Sequence, residues 1–188
     1  MAAFVDLDEY INMHGRTPDE WVSSKGSPVA SLNWVFFGSR LSDGPSESLL
    51  LRFRDRAAQP DRHLKPVIDL DAVRKAGISP FFLNPHCVHY RDPRGGQGIM
   101  RAATEDGFSA GPFCDARWDP AERPYVAHYY SKTEEEFSAK IARGRCDALR
   151  QSKEQYWLQR EKMWEIRRQC DRNEVRDEEM ARAAGLLR

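Results

Sequence analysis

The chain has 188 residues, enough for one domain with a real core, and its 40% apolar and 31% charged content is globular. Its 29 basic and 29 acidic residues cancel to a net charge of zero, which argues against nucleic-acid binding driven by bulk charge. No apolar run approaches the roughly 18 residues of a membrane span, and the start lacks the basic and apolar segments of a secretory signal.

The first element is FVDLDEYI, residues 4–11, which reads as a buried strand carrying acids at its carboxyl end. SLNWVFFGSR (31–40) is a second apolar, aromatic strand, closed by Gly38 and the turn-forming DGPS. ESLLLRFR (47–54) suits a strand or a short helix. HLKPVIDLDAVRKAG (63–77) predicts a short strand at Val67–Ile68 followed by a turn or helix that Gly77 ends. ISPFFLNPHCVHY (78–90) reads as strand plus loop because prolines interrupt it, and the glycine-rich 91–113 reads as a mobile loop. RPYVAHYYS (123–131) is the last strand candidate.

Helical character then takes over. Thr133 and Glu136 have capping-box spacing, Phe137 and Ile141 share a face, and Gly144 is a natural stop. From Cys146 to Ala184 there is neither glycine nor proline, and Leu149, Tyr156, Met163 and Cys170 recur every seven residues beside Trp157 and Trp164. That predicts a long amphipathic helix, with a bend or split near Asp171–Asn173. Strands and loops first and helices last make the fold class α/β or α+β. The organisation is a strand-and-loop region over 1–145 and a helical extension over 146–188.

Four groups of residues can carry chemistry. Asp6 and Asp8 alternate, so in an extended segment they point the same way and can share a hard divalent cation such as Mg²⁺ or Mn²⁺; a solvated acidic turn is the plain alternative. His128, in an aromatic strand ahead of a capped helix, is either a third ligand or a hydrogen-bonded core histidine. His86 and His89, with Cys87 between them, hint at zinc, but no second close ligand pair follows. One of the two histidines is expected to line a pocket and the other to pack. Lys65, Arg91, Arg94, Lys132, Arg143 and Arg145 can meet a diphosphate or serve as solvated surface. GGQG within 94–111 is neither a dinucleotide fingerprint nor a P-loop and reads as a flexible lid. The remaining cysteines, Cys114, Cys146 and Cys170, are widely spaced without a CxxC pair, which suits buried thiols.

In order, FVDLDEYI, SLNWVFFGS, KPVIDLDAV, NPHCVHY and VAHYYSKTEEEFSAKIARGR resemble the catalytic half of GT-A-type glycosyltransferases of the family 92 and family 2-like group. The closing NEVRDEEMARAA is similar to that group's tail, so the resemblance spans nearly the whole chain, and its HYYSKTEEEF block is the most specific. The resemblance implies a partial GT-A-like mixed sheet followed by a long C-terminal helical segment. It implies that Asp6 and Asp8 are the DxD pair holding Mn²⁺ or Mg²⁺ against the diphosphate of a nucleotide-sugar donor, with His128 completing the metal or diphosphate site. Trp34, Phe37 and Gly38 match a block near the acceptor, a glycan or glycoconjugate hydroxyl. Lys132 matches the lysine of the H-Y-x-S-K turn, and His86 and His89 fall in the substrate-binding region. The general base stays open between Asp106, next to Glu105, and Asp43.

In that family a βαβαβ half that grips the base and ribose precedes the DxD strand. The expectation is therefore a truncated chain that binds a nucleotide-sugar poorly. Two other readings compete. One is a non-catalytic remnant that serves as a binding module. The other is a DxD phosphohydrolase of the haloacid-dehalogenase type, disfavoured by Tyr10 and by the lack of a GDxxxD downstream.

Overall fold

The computed structural model describes residues 1–42, 48–143 and 153–187, with Lys153, Glu154 and Tyr156 described by backbone alone. Asp43, Gly44, Gly144, Arg145, Cys146 and Leu149 therefore lie outside the described residues. In chain order the first elements are β1 (Ala2–Ala3), β2 (Glu9–Asn12), α1 (Pro18–Ser24), β3 (Val29–Phe36), α2 (Leu49–Arg52), β4 (Asp55–Arg56), β5 (Leu64–Ile68) and α3 (Leu70–Lys75). There follow β6 (Ser79–Phe81), β7 (His89–Arg91), β8 (Gln97–Ile99), β9 (Ala102–Thr104), β10 (Gly107–Ser109), β11 (Tyr125–His128), α4 (Glu134–Arg143), α5 (Lys153–Cys170), β12 (Val175–Arg176) and α6 (Glu179–Ala183). The class is α+β, with a mixed sheet and helices at the C-terminal end. The chain forms two units, one of residues 1–35 and 58–128, the other of 36–57 and 129–188.

The first unit is built on a sheet ordered β1-β5-β3-β11-β2, with β9 beside β3 and β10 beside β9. β3 is buried at all eight positions, with the polar Ser31 and Asn33 buried among its apolar residues. β5 pairs antiparallel with β3, Val29 opposite Ile68 and Asn33 opposite Leu64. Pro66 is tolerated in β5 because β1 pairs only with Val67 and Ile68, so its missing N–H faces no partner on that side. β3 also pairs with β9 in parallel, Ala30 opposite Ala103. Behind the sheet, Val29, Ile68, Val73, Val88 and Ala102 form a cluster joined by Ile78, Phe82 and Met100. α3 begins where the Asp69 carboxylate accepts the Asp71 and Ala72 N–H groups, and Gly77, at φ +69°, turns the chain out of it.

Two expectations need correction here. The acids of FVDLDEYI do not end a strand. Residues 4–8 are irregular, Phe4 and Val5 are exposed, and the strand starts at Glu9. A turn forms instead: the Glu9 N–H donates to the Asp6 carbonyl, and the Asp6 N–H donates to the Glu9 carboxylate. This local bonding competes with strand pairing, as short acidic side chains do. The expected loop at 91–113 holds β8, β9 and β10, paired in antiparallel hairpins. Two of its glycines take positive φ at the hairpin turns, Gly95 at +82° and Gly107, which opens β10, at +130°, and composition alone made the stretch look like slack.

In the second unit the Thr133 hydroxyl caps the Glu136 N–H while the Glu136 carboxylate accepts the Thr133 N–H, the capping box expected before α4. Phe137 and Ile141 are buried, and the Phe137 ring meets Trp164 of α5 at 4.9 Å. The buried Arg167 guanidinium donates to the carbonyls of Ser131 and Lys132, which holds Lys132 at a left-handed φ of 45°. The helical expectation for 146–184 is met over Lys153–Cys170 and then stops. Asp171 takes the Ser39 N–H and hydroxyl, the chain pairs as β12 with β4, and α6 follows. Of the three residues expected on one buried face, Leu149 and the Tyr156 side chain lie outside the described residues and Met163 is half-buried. The buried ends of this segment are Arg167 and Cys170. Within the described residues no helix is long and apolar enough to cross a membrane.

Candidate functional site

In the first unit, strands from distant parts of the sequence bring titratable groups around one tryptophan. Trp34, near the end of β3, is 9% exposed. Its indole is stacked on His63 (4.6 Å between centroids, 22°), meets His128 edge-on at 4.4 Å and His86 at 5.0 Å, and carries the Lys65 ammonium 5.7 Å above it. Neighbouring strands explain this convergence. Trp34 follows Asn33, the partner of Leu64, so the β5 residues and the His63 just before them lie alongside it. His128 ends β11, the next strand over.

The acidic half comes from the start of the chain. β2 pairs with β11 so that Glu9 is opposite His128. This register carries Asp8 to the imidazole, with Oδ1 3.8 Å from His128 Nε2 and both side chains nearly buried. Asp6 points elsewhere: its Oδ2 takes a hydrogen bond from Lys65 Nζ at 3.1 Å. Lys65 also meets Glu9 Oε2 at 3.0 Å, and the two side chains are 1% and 0% exposed. Burial pushes the Glu9 carboxyl above its ordinary value, against the opposing pull of the Asp6 N–H and the Lys65 ammonium. Its second oxygen, Oε1, is buried with no hydrogen-bond partner.

His63 and His86 have fixed tautomers. A carboxylate and a carbonyl only accept, so each histidine carries its proton on Nδ1. His63 Nδ1 donates to Asp61 Oδ1 at 2.5 Å, and His86 Nδ1 to the Leu64 carbonyl at 2.9 Å. The His63 bonds, from its side chain and its backbone N–H, outweigh burial and hold Asp61 below the ordinary carboxylate range. Burial, aided by the nearby Lys65 charge, holds His86 below its ordinary value, against the opposing hydrogen bond to the Leu64 carbonyl.

The other sequence candidates lie as follows. His89, in β7, faces Cys87 Sγ at 3.6 Å and the Phe81 ring at 5.4 Å, so it packs while His86 joins the cluster. Asp106 is in the turn between β9 and β10, paired with Arg123 at 3.3 Å. Asp43 is outside the described residues. Phe37, Gly38 and Lys132 belong to the second unit. There Phe37 is buried and stacked on Tyr129 at 4.6 Å, and a Cβ on Gly38 would overlap the Asn173 side chain and the Arg172 carbonyl. Sequence reasoning missed Asp61, His63 and the Glu9–Lys65 pair. The D-x-H spacing in PDRHL was the one available signal for the first two.

Among the described residues no three His, Cys, Asp or Glu side chains are grouped to hold a metal ion. The donor set does suit a partial site. Asp8 brings a carboxylate and His128 an imidazole to within 3.8 Å of each other, and Asp6 meets Lys65 at 3.1 Å. Mg²⁺ and its relatives keep waters and are commonly held by one or two protein groups together with substrate phosphates. The arrangement therefore fits a cation that a diphosphate helps to bind, and it does not fit an all-protein cage. Compared with protein-family models, curated proteins and solved structures, the chain matches none of them.

Proposed function

We propose that the cluster around Trp34 is the metal and diphosphate end of a GT-A-type glycosyltransferase. Such an enzyme transfers a sugar from a nucleotide-sugar donor to a hydroxyl of a glycan or glycoconjugate. The observation that carries this reading is the meeting of Asp8 and His128 at 3.8 Å from opposite ends of the first unit. Bound there, Mn²⁺ or Mg²⁺ would neutralise charge on the departing nucleoside diphosphate. Asp8 and His128 would hold it. Lys65 keeps Asp6 and Glu9 from adding uncompensated negative charge beside an anionic ligand. Trp34 fixes the orientation of the three imidazoles around it.

A second reading, a binding module without turnover, is favoured by one observation: Asp6, the other half of the DxD, is spent on Lys65. Calorimetry with UDP or GDP and Mn²⁺ tests the first reading. Weak binding, with Kd on the order of 1 mM, is expected because a diphosphate alone is a small ligand. It should require Mn²⁺ and weaken at least about tenfold in Asp8→Ala, roughly 1.4 kcal/mol. Binding indifferent to metal and to Asp8→Ala would remove the reading.

A further inference from the structure

A sugar transfer needs a group that takes the acceptor's proton. Of the two sequence candidates, Asp106 is tied to Arg123 and Asp43 is outside the described residues. The first unit contains a different group with the required chemistry. Asp61 Oδ1 accepts from both the backbone N–H of His63, at 2.9 Å, and its Nδ1–H, at 2.5 Å. The Asp61 backbone is itself fixed, since its N–H donates to the Trp34 carbonyl at 2.7 Å and its carbonyl accepts from Asn33 Nδ2 at 2.9 Å. The imidazole is clamped on one face by Trp34 and at an edge by Phe113, 4.8 Å between centroids. Even so, its side chain is 35% exposed. With Nδ1 occupied, the free lone pair is on Nε2. A histidine whose orientation and tautomer are set by a carboxylate and whose other nitrogen is open is built to accept a proton. The His128 ring, 3.8 Å from Asp8, lies against the same indole.

We propose that His63 is the proton acceptor of this site and that Asp61 is its positioning residue. The proposal rests on the glycosyltransferase reading above. In the step, the acceptor oxygen forms a bond to the anomeric carbon of the donor sugar. The bond from that carbon to the diphosphate oxygen breaks, and its electron pair leaves with the nucleoside diphosphate. The hydroxyl proton passes to His63 Nε2, and the resulting imidazolium is stabilised by the Asp61 carboxylate. The proton is then lost to solvent. Water can take the acceptor's place, so hydrolysis of the donor reports the same step.

The test uses the whole 188-residue chain with UDP-glucose, UDP-N-acetylglucosamine and GDP-mannose at several millimolar with Mn²⁺, following release of UDP or GDP. His63→Asn is expected to lower release at least 100-fold while leaving Mn²⁺-dependent UDP binding within about twofold of wild type. Unchanged release in His63→Asn overturns the proposal. So does a wild-type chain that binds UDP with Mn²⁺ yet releases nothing, although that outcome leaves the binding reading intact. Absence of Mn²⁺-dependent binding removes the glycosyltransferase reading itself. Nitrogen-15 NMR of the histidine rings gives an arm independent of turnover and of how well His63→Asn folds. His63 should carry its proton on Nδ1 in the wild type and populate the Nε2–H form in Asp61→Asn. An Nε2–H wild-type ring, or no change in Asp61→Asn, overturns the dyad.

Discussion

Replacing Lys65 by methionine removes the positive charge that meets the buried Glu9 carboxylate among the described residues, and the cost can be worked from the geometry. Lys65 bridges two acids, but they are not equivalent. The Asp6 side chain is 62% exposed, so its arm contributes at most about 1 kcal/mol after solvent screening. The Glu9 arm joins side chains that are 1% and 0% exposed, and breaking a buried pair by removing one partner costs roughly 3–5 kcal/mol. At about 2–4 °C per kcal/mol for a chain of this size, Lys65→Met should melt roughly 6–20 °C below wild type. Replacing both partners, Lys65→Met with Glu9→Leu, removes the stranded carboxyl. It should recover all but about 1 kcal/mol, the deficit being the lost hydrogen bond from the Asp6 N–H. The effect also has a pH signature. Burial raises Glu9 above its ordinary 4.5, so the folded chain holds that proton to higher pH than the unfolded one. Its contribution is complete below 4.5 and is lost as pH rises through the folded value. Lys65 pulls Glu9 down, so its removal moves that value further up, and the deficit of Lys65→Met widens as pH rises through the wild-type folded value. Thermal unfolding by circular dichroism at several pH values measures all three quantities. A single mutant within 1 kcal/mol of wild type, or a double mutant no better than the single, would refute the assignment of Glu9 and Lys65 as a mutually dependent buried pair.

Gly38→Ala should destabilise by about 1–3 kcal/mol or more, because its Cβ would meet the Arg172 backbone, which cannot rotate away; urea midpoints check this. Thr133→Ala should cost about 1 kcal/mol through loss of the cap on α4, read in the same urea experiment. The Arg52 guanidinium and the Thr133 N–H and hydroxyl hold the Glu136 carboxyl below its ordinary 4.5. That contribution is present above 4.5 and lost as pH falls through the folded value, so Glu136→Gln should flatten the acid limb of a stability–pH profile. Trp34→Ala should cost about 3–5 kcal/mol and expose His63, His86 and His128 to faster modification by diethyl pyrocarbonate, followed by mass spectrometry.

Much of the fold was legible because it is written in local chemistry. SLNWVFFGSR could be read as a strand from its apolar and aromatic run, and it overlaps β3, Val29–Phe36. Thr133 and Glu136 announce α4 three residues apart, and Gly77 announces the end of α3. Asp6, Asp8 and His128 could be picked out as polar groups beside apolar strands. Their partners could not, because a partner is set by strand register, which the sequence leaves open. Only the pairing of Glu9 with His128 puts Asp8 against the imidazole, and only the neighbouring β3 and β5 put Lys65 beneath Asp6 and Glu9. The hairpins of 91–113 were hidden for a related reason: turn glycines at positive φ have the same composition as a slack loop. The split expected near Asp171–Asn173 is where α5 ends, but the partner that fixes it, Ser39 across 132 residues, is one that no helical period records. Residue types and short-range spacing thus determined which groups this chain has to offer. The tertiary structure decided which of them meet, because contacts between strands distant in sequence are chosen by the burial of whole faces and not by any one residue.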